Sequence, residues 1–537
     1  MKPGKLIVLS TVVFVLLFSC SLPGSLVTPT QAPVNNPTAP IPIASATATP
    51  FVPTAIPSTT SVSVQPLRTA GPYLAYQDQA GDRPVLKLMD ADGLGQKSID
   101  YPAGFDSGTN SLPLSNTLSP DGKWLAYFTG SAGTAFGVVG PASNDLALNL
   151  MRLSDGSARV LTPLLSKDYP NIFTKAAQQV AQPDVTAESL RNAFILGITQ
   201  SLAWSPNGRY LAFAGQMDGL SSDMYLYDSV AGTIQRLSSG LEEVQWISWS
   251  PDGKWILDGS SYSVGEGMQY NIYATSVDGG TVNQLSRGTP QVVNSSDWLN
   301  DHTYFDSNGA NGPGSYDLKV VDVNSGGVSE IWQGSYGPYA FVPDGNWVVL
   351  NANTPSWPWS YTNTDFSTGI FLVNTASLKQ MRVNSLGAWG CCTGSQFFAL
   401  GHIPEHLFLV KDDASQEIQY LTSDGKLISA GVNAEQISVS PDRLKWVAIS
   451  SEIKLFSDDG SLTSSVALPP GLDPKDIGAI IWRQDSSGLF FTYQALQDQN
   501  SALDLYMLDL DKGNLMRVGP QSSSSPGDYY WVSGLPE

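Results

Sequence analysis

The chain has 537 residues, 42% of them hydrophobic, with 50 glycines; this is enough for one large β core, and length alone does not demand several domains. Its 48 acidic residues against 28 basic ones give a formal charge of −20, a field that repels nucleic acid and anionic lipid headgroups and excludes both as partners of the folded part. Cationic partners or metal ions would be drawn in, although a solvated acidic surface that aids solubility is the simpler account.

At the start of the chain, Lys2 and Lys5 lead an apolar run from Leu6 to Phe18 that is too short to span a bilayer as a mature helix and reads as a secretion signal. Its end, Leu17-Phe18-Ser19-Cys20, resembles a bacterial lipobox. The resemblance implies cleavage before Cys20 and lipid attachment there, with residues 1–20 as a lipoprotein signal peptide and the mature protein anchored outside the cytosol. Ordinary secretion with a chance cysteine is the alternative. Residues 21–67 form a Pro/Thr/Ser-rich stretch with almost no charge, including Thr47-Ala48-Thr49-Pro50. It buries too little apolar surface to fold and is expected to be a disordered spacer, stiffened by proline.

Residues 68–537 carry a repeat. Leu118-Ser119-Pro120-Asp121-Gly122-Lys123-Trp124 returns as Trp204-Ser205-Pro206-Asn207-Gly208-Arg209-Tyr210 and as Trp249-Ser250-Pro251-Asp252-Gly253-Lys254-Trp255, with worn copies at Pro343-Asp344, Pro441-Asp442 and Gln484-Asp485. Proline presets φ at the second turn position, Asp or Asn bonds its own backbone, and Gly accepts positive φ, so each copy is a hairpin turn. The strands beyond, such as Trp255-Ile256-Leu257, alternate too little to have a wet face and should be covered on both sides. A second hairpin follows each first one, from Leu86–Gly93 and Leu150–Gly156 through to Leu505–Gly513, giving nine units. Two hairpins make four strands, and 251 − 206 = 45 residues between turn prolines is the blade length of a β-propeller.

The expected fold is therefore all-β, a propeller of four-stranded antiparallel blades. Because four to eight blades are usual, eight is the expected count, within a range of seven to nine. The terminal stretch Tyr529-Tyr530-Trp531-Val532-Ser533 is expected to complete the first blade and close the ring. The Ser-Pro-Asp-Gly-Lys-Trp turns resemble those of TolB-like propellers, which also occur as the propeller domain of prolyl-oligopeptidase-type peptidases. The resemblance covers nearly everything after residue 70, implies fold, and transfers no catalytic residue.

Two segments interrupt the repeat. Residues 166–200 read as a helical insertion: Ile172, Ala176 and Val180 have helical spacing, and Thr186 with Glu188 opens a second helix whose Leu190, Phe194 and Ile198 share a stripe. A cap packed on the ring is preferred over a partner-docking lid. Asn353 to Tyr361 lengthens another connection and sets Trp357, Trp359 and Tyr361 beside two prolines, the candidate ligand-binding residues. A self-packed loop over the channel mouth is the competing account. The adjacent Cys391 and Cys392 are a candidate vicinal disulfide, strained because neighbouring Cα atoms lie about 3.8 Å apart; two ordinary thiols are the alternative.

Catalytic constellations are missing. No Gly-x-Ser-x-Gly elbow occurs, so no catalytic residue is assigned and no cofactor is expected. His402-Ile403-Pro404-Glu405-His406 matches the inverted zincin pattern by letter, but Pro404 lies inside it and the segment sits where a blade turn belongs, so no metal is assigned. Asp509-Leu510-Asp511-Lys512-Gly513-Asn514 hints at calcium but lies in a repeat hairpin without the later Glu. The expected function is that of a monomeric, lipid-anchored, extracytoplasmic binding module or scaffold for a protein, peptide or cell-surface glycan. The alternatives are a carbohydrate-active lyase or hydrolase using acidic groups at the propeller channel, and a structural component of the cell envelope.

Overall fold

In the computed structural model, the described residues are 65–534, apart from residues 69, 81–82, 134–141, 168–186, 219–220, 241, 265–266, 290–295, 309–316, 334–335, 343–344, 353–368, 385–395, 413–414, 495–502 and 522–528. Their strands group into nine sheets that follow one another along the chain, here blades 1 to 9. The count is the upper end of the expected range and equals the number of second hairpins.

Blades 3 to 9 each have four antiparallel strands in sequence order. Blade 2 has three, Trp124–Thr129, Ala147–Arg152 and Ala158–Pro163; the one-turn helix α1 (Leu114–Thr117) and a single Leu118–Leu125 bridge stand where its first strand would be. Blade 1 is built from both ends of the domain. The C-terminal strand Tyr529–Val532 pairs antiparallel with Tyr73–Ala80, Tyr73 opposite Val532, and closes the ring as the sequence led one to expect. On the outer edge of that blade, Gln65–Pro66 adds a short parallel strand against Gly95 and Gln96.

Each junction between blades has its own apolar cluster, and the nine clusters run without a gap from blades 1 and 2 round to blades 9 and 1. Successive residues of one strand serve opposite junctions, because side chains alternate between the two faces of a sheet. Ile256 packs toward blade 3 and Leu257 toward blade 5; Trp446 and Ala448 pack toward blade 7, Val447 and Ile449 toward blade 9. Both faces are dry, which is why these strands read as continuous apolar runs.

The repeated turns are held by one recurring network. In blade 4, Ser250 Oγ donates to Asp252 Oδ1 (2.8 Å) and accepts from the Trp255 amide (2.9 Å), while the Lys254 amide donates to Asp252 (3.0 Å). Ser119 with Asp121, Ser205 with Asn207 and Ser440 with Asp442 repeat it. Gly122, Gly208 and Gly253 take φ near +70°, and the worn copy places Arg443 at +60°.

The tryptophan that precedes the turn has a role that the motif alone did not disclose: it ties its blade to the one before. Trp249 Nε1 donates to the Ala203 carbonyl (3.0 Å), Trp204 to Thr117 (2.9 Å), Trp298 to Ser248 Oγ (3.2 Å), Trp482 to Ser438 Oγ (3.0 Å), and Trp531 of the closing strand to the Trp482 carbonyl (2.8 Å).

Helix α2 (Ala187–Thr199) is the second predicted helix of the insertion; the first, with Ile172, Ala176 and Val180, lies outside the described residues. Phe194, Ile195 and Ile198 of α2 are buried in the cluster shared by blades 2 and 3, the packing expected of a cap. No helix among the described residues is long and apolar enough to cross a membrane.

Candidate functional site

The residues singled out from the sequence, Cys20, Trp357, Trp359, Tyr361, Cys391 and Cys392, all lie outside the described residues. The histidines are described. His402 and His406 flank the Pro404–Glu405 turn, with Ile403 paired to His406, and their rings bond two separate backbone carbonyls of blade 8, Asp442 (2.9 Å) and Asp458 (2.6 Å). They fasten blade 7 to blade 8. Asp509 is likewise engaged, by the Lys512 amide and ammonium.

A hollow of about 440 Å³ lies where the turns of blades 2, 3 and 9 meet the closing strand, lined among others by Asp121, Asn207 and Tyr530. Asp121 and Asn207 are committed to their own turns there, so this hollow has little free polar chemistry.

The polar chemistry gathers in a cleft between blades 3 and 4, about 490 Å³, within the range of small-ligand sites. Blade 3 brings Asp223 from its third strand, Asp223–Asp228. The connection into blade 4 brings Ser238, Ser239, Gly240 and Glu242. Blade 4 brings Asp258 and Ser260 from Trp255–Val264, and Tyr273 and Thr275 from Gly267–Ser276. Strand periodicity explains the arrangement: Ile256, on the face toward blade 3, belongs to the apolar junction, and two and four residues further along that face stand Asp258 and Ser260. Tyr273 lies opposite Asp258 in the neighbouring strand. The next residue, Gly259, faces blade 5, and the Trp246 indole occupies the space a Cβ would need.

Three carboxyl groups, Asp223, Glu242 and Asp258, line this cleft, and two more, Asp218 and Glu243, stand near Asp223. Asp223 is buried and accepts from Arg236 (2.5 Å), which also pairs with the more exposed Asp218 (3.1 Å). Glu242 Oε1 accepts from Tyr273 OH and Asn271 Nδ2, both at 2.9 Å. Glu243 is buried and accepts from the Ser222 amide (2.6 Å), while its Oε1 has no hydrogen-bond partner. Asp258, 2% exposed, accepts from Ser260 Oγ (2.8 Å). Burial pushes Asp258 up to about 7, with the charge of Glu242 adding to it and Ser260 opposing. Burial lifts Glu243 to about 8 against the Ser222 bonds. Burial also raises Asp223, and Arg236 restrains that rise. Tyr273 is held above its ordinary range by burial and by Glu242.

The arrangement combines hydrogen-bond acceptors from the connection and the strands with one strand-borne carboxyl, Asp258, raised to about 7. Its signal in the sequence was the aspartate closing Trp255-Ile256-Leu257-Asp258: a charged residue in a strand dry on both faces has to meet a cleft or a partner. The tandem Glu242-Glu243 was the second sign.

Fold and cleft together define a nine-bladed β-propeller with a carboxylate-lined site between two blades. No family model matches the chain. It is similar to the "Uncharacterized peptidase YuxL" of Bacillus subtilis (strain 168), 31% identical over 153 residues, which are 28% of this chain and 21% of that protein. It is similar also to the "Uncharacterized protein Atu1656" of Agrobacterium fabrum, 28% identical over 161 residues, 29% of this chain and 51% of that one. The matches thus span about a fifth and about half of these relatives. Among solved structures, TolB from Acinetobacter baumannii matches at 19% identity, over 57% of this chain and 62% of its own, with a TM-score of 0.28. A eukaryotic initiation factor matches at 11% identity, over 87% of this chain and 100% of its own, with a TM-score of 0.45.

Proposed function

We propose that the protein is a non-catalytic binding module that takes a group of a protein, peptide or cell-surface glycan into the cleft between blades 3 and 4. The observation that supports this most is the cleft itself: a concave site walled by three strands of blade 4 and one of blade 3, with hydroxyls and carboxyls converging on it. In this reading residues 1–19 are removed, Cys20 becomes the first residue and carries the lipid, residues 21–67 space the ring from the membrane, and the ring works outside the cytosol. A Cys20→Ser variant is then expected to leave the membrane fraction.

The test is capture on glycan and peptide arrays by the full chain and by a Ser239→Trp variant. Ser239 is exposed at the cleft, so a bulky ring there obstructs entry without entering the core. A captured ligand should lose at least about tenfold in affinity, as expected when a site is occluded, while the melting temperature stays the same. A ligand that binds the variant equally well puts the site elsewhere and refutes the reading.

One observation favours an enzyme as the second reading: a carboxyl raised to about 7 beside another carboxyl is an arrangement suited to general acid catalysis. The acidic groups this reading uses are those of the cleft between blades 3 and 4. Turnover on a polysaccharide panel, abolished by Asp258→Asn, would establish it over binding alone.

A further inference from the structure

We infer that the cleft between blades 3 and 4 recognises a primary ammonium group, held against Asp258 and Glu242; this rests on reading that cleft as the ligand site. The argument is one of missing positive charge. Asp223, Glu242 and Asp258 line the cleft, Asp218 and Glu243 stand near Asp223, and among the described residues Arg236 is the one cation bonded to any of the five. Arg236 is used by Asp218 and Asp223. Asp258 lines the cavity and is nearly inaccessible, and the single hydrogen bond its carboxyl receives goes to Oδ2, from Ser260. Among the described residues, Oδ1 has no donor. A buried carboxylate keeps its charge only when paired and hydrogen-bonded.

An ammonium supplies what is absent: a compact positive charge with three donors and no acceptor, matched to a lining of acceptors. Leu237 and Val282, also in the lining, offer the stem of such a ligand an apolar wall. A guanidinium asks for a planar, bidentate partner, and Glu242 already spends Oε1 on Tyr273 and Asn271.

Binding is coupled to a proton. Asp258 shares the cleft with Tyr273 on the adjacent strand, Glu242 from the entry to blade 4 and Asp223 of blade 3; Arg236, its second partner Asp218, and Glu243 stand by Asp223. None besides Arg236 is cationic, so Asp258 is substantially protonated near neutrality, and an arriving ammonium expels that proton. Affinity should therefore rise about tenfold from pH 6 to pH 8, the linkage expected for one proton released from a group titrating near 7.

The ammonium has two possible sources, a free amine or a lysine side chain, and the experiment separates them. Cadaverine and a short capped peptide with one lysine are titrated calorimetrically into the full chain at pH 6 and pH 8, with maltotriose and the same peptide bearing glutamine as neutral controls. We expect at least one amine to bind, about tenfold more tightly at pH 8, and to lose at least about tenfold in Asp258→Asn and in Glu242→Gln while neither variant melts earlier. Cadaverine alone binding names a free amine, and the lysine peptide alone binding names a protein side chain. Absence of binding by both amines, or binding indifferent to pH or to the Asp258 variant, overturns the inference. If a captured ligand is still displaced by Ser239→Trp in that case, the cleft stands as the site and only its ligand class was wrong; if nothing responds to Ser239→Trp, the reading of the cleft has failed as well.

Discussion

Removing the charge from Asp258 or Glu243 should stabilise the protein at mildly alkaline pH. Both carboxyls are raised by burial, Asp258 from the ordinary 3.8 to about 7 and Glu243 from 4.5 to about 8. At pH 4 each is largely protonated in the folded chain, and below it in the unfolded chain too, so neither affects folding. Between pH 5 and pH 8 the unfolded chain has released protons that the folded chain still holds, so stability falls as pH rises, by about 1.4 kcal/mol per pH unit for each group. The loss levels off above the folded value. Integrated, it is roughly 4 kcal/mol for Asp258 and about 5 kcal/mol for Glu243, large against the 5–15 kcal/mol stability typical of a domain. Asn at 258 and Gln at 243 retain an acceptor for Ser260 and for the Ser222 amide, so the variants should exceed the parent by only about 1–2 kcal/mol at pH 5 and by about 4 kcal/mol at pH 8. Opposite shifts do not intrude: Asp228, held near 2 first by Arg209, adds stability that is lost only as pH falls below about 4. The assay is urea denaturation at half-unit steps from pH 5 to pH 8. Parallel curves for parent and variants, or a parent that gains stability over this window, would refute the reasoning.

Three further outcomes follow from the ring. Trp249→Phe removes the indole bond to the Ala203 carbonyl and should cost about 1 kcal/mol in chemical denaturation, whereas no loss would deny the indole its inter-blade role. Ending the chain before Tyr529 removes the strand opposite Tyr73–Tyr76, the fully buried Val532 and the Trp531 bond to blade 9; amide exchange at residues 73–76 should become fast, and unchanged protection there would contradict closure. Gly122 and Gly232 share φ near +70°, but a Cβ on Gly122 would lie 1.7 Å from the Gly534 carbonyl while one on Gly232 meets nothing. Gly232→Ala should therefore cost only the backbone penalty of about 1 kcal/mol and Gly122→Ala distinctly more; equal losses would count against the contact between the chain end and blade 2.

How much of this was legible in the sequence depended on how local the cause was. Turns are local: Ser250, Pro251, Asp252 and Gly253 contain their own bonding partners, so the hairpins could be read directly. Strands dry on both faces were legible as well, since Ile256 and Leu257 show no alternation. The count of nine lies within the expected range of seven to nine, whose centre was set at eight by a prior on propeller size and not by the nine visible hairpins. The first strand of blade 2 could not be foreseen to be a helical turn, because Leu114–Thr117 is set by packing beneath Trp204 and beside the closing strand. The Trp bonds between blades and the cleft were hidden for the same reason. Asp223 and Asp258 are 35 positions apart in sequence, and only the curvature of the ring brings them to one cavity.

The most direct test of the cleft as the functional site is hydrogen–deuterium exchange on the full chain with and without cadaverine at pH 8. Protection confined to the connection 237–242 and to the blade 4 strands carrying Asp258 and Tyr273 is the predicted result. Protection at the closing strand and the turns around Asp121 instead, or no protection anywhere, would contradict it.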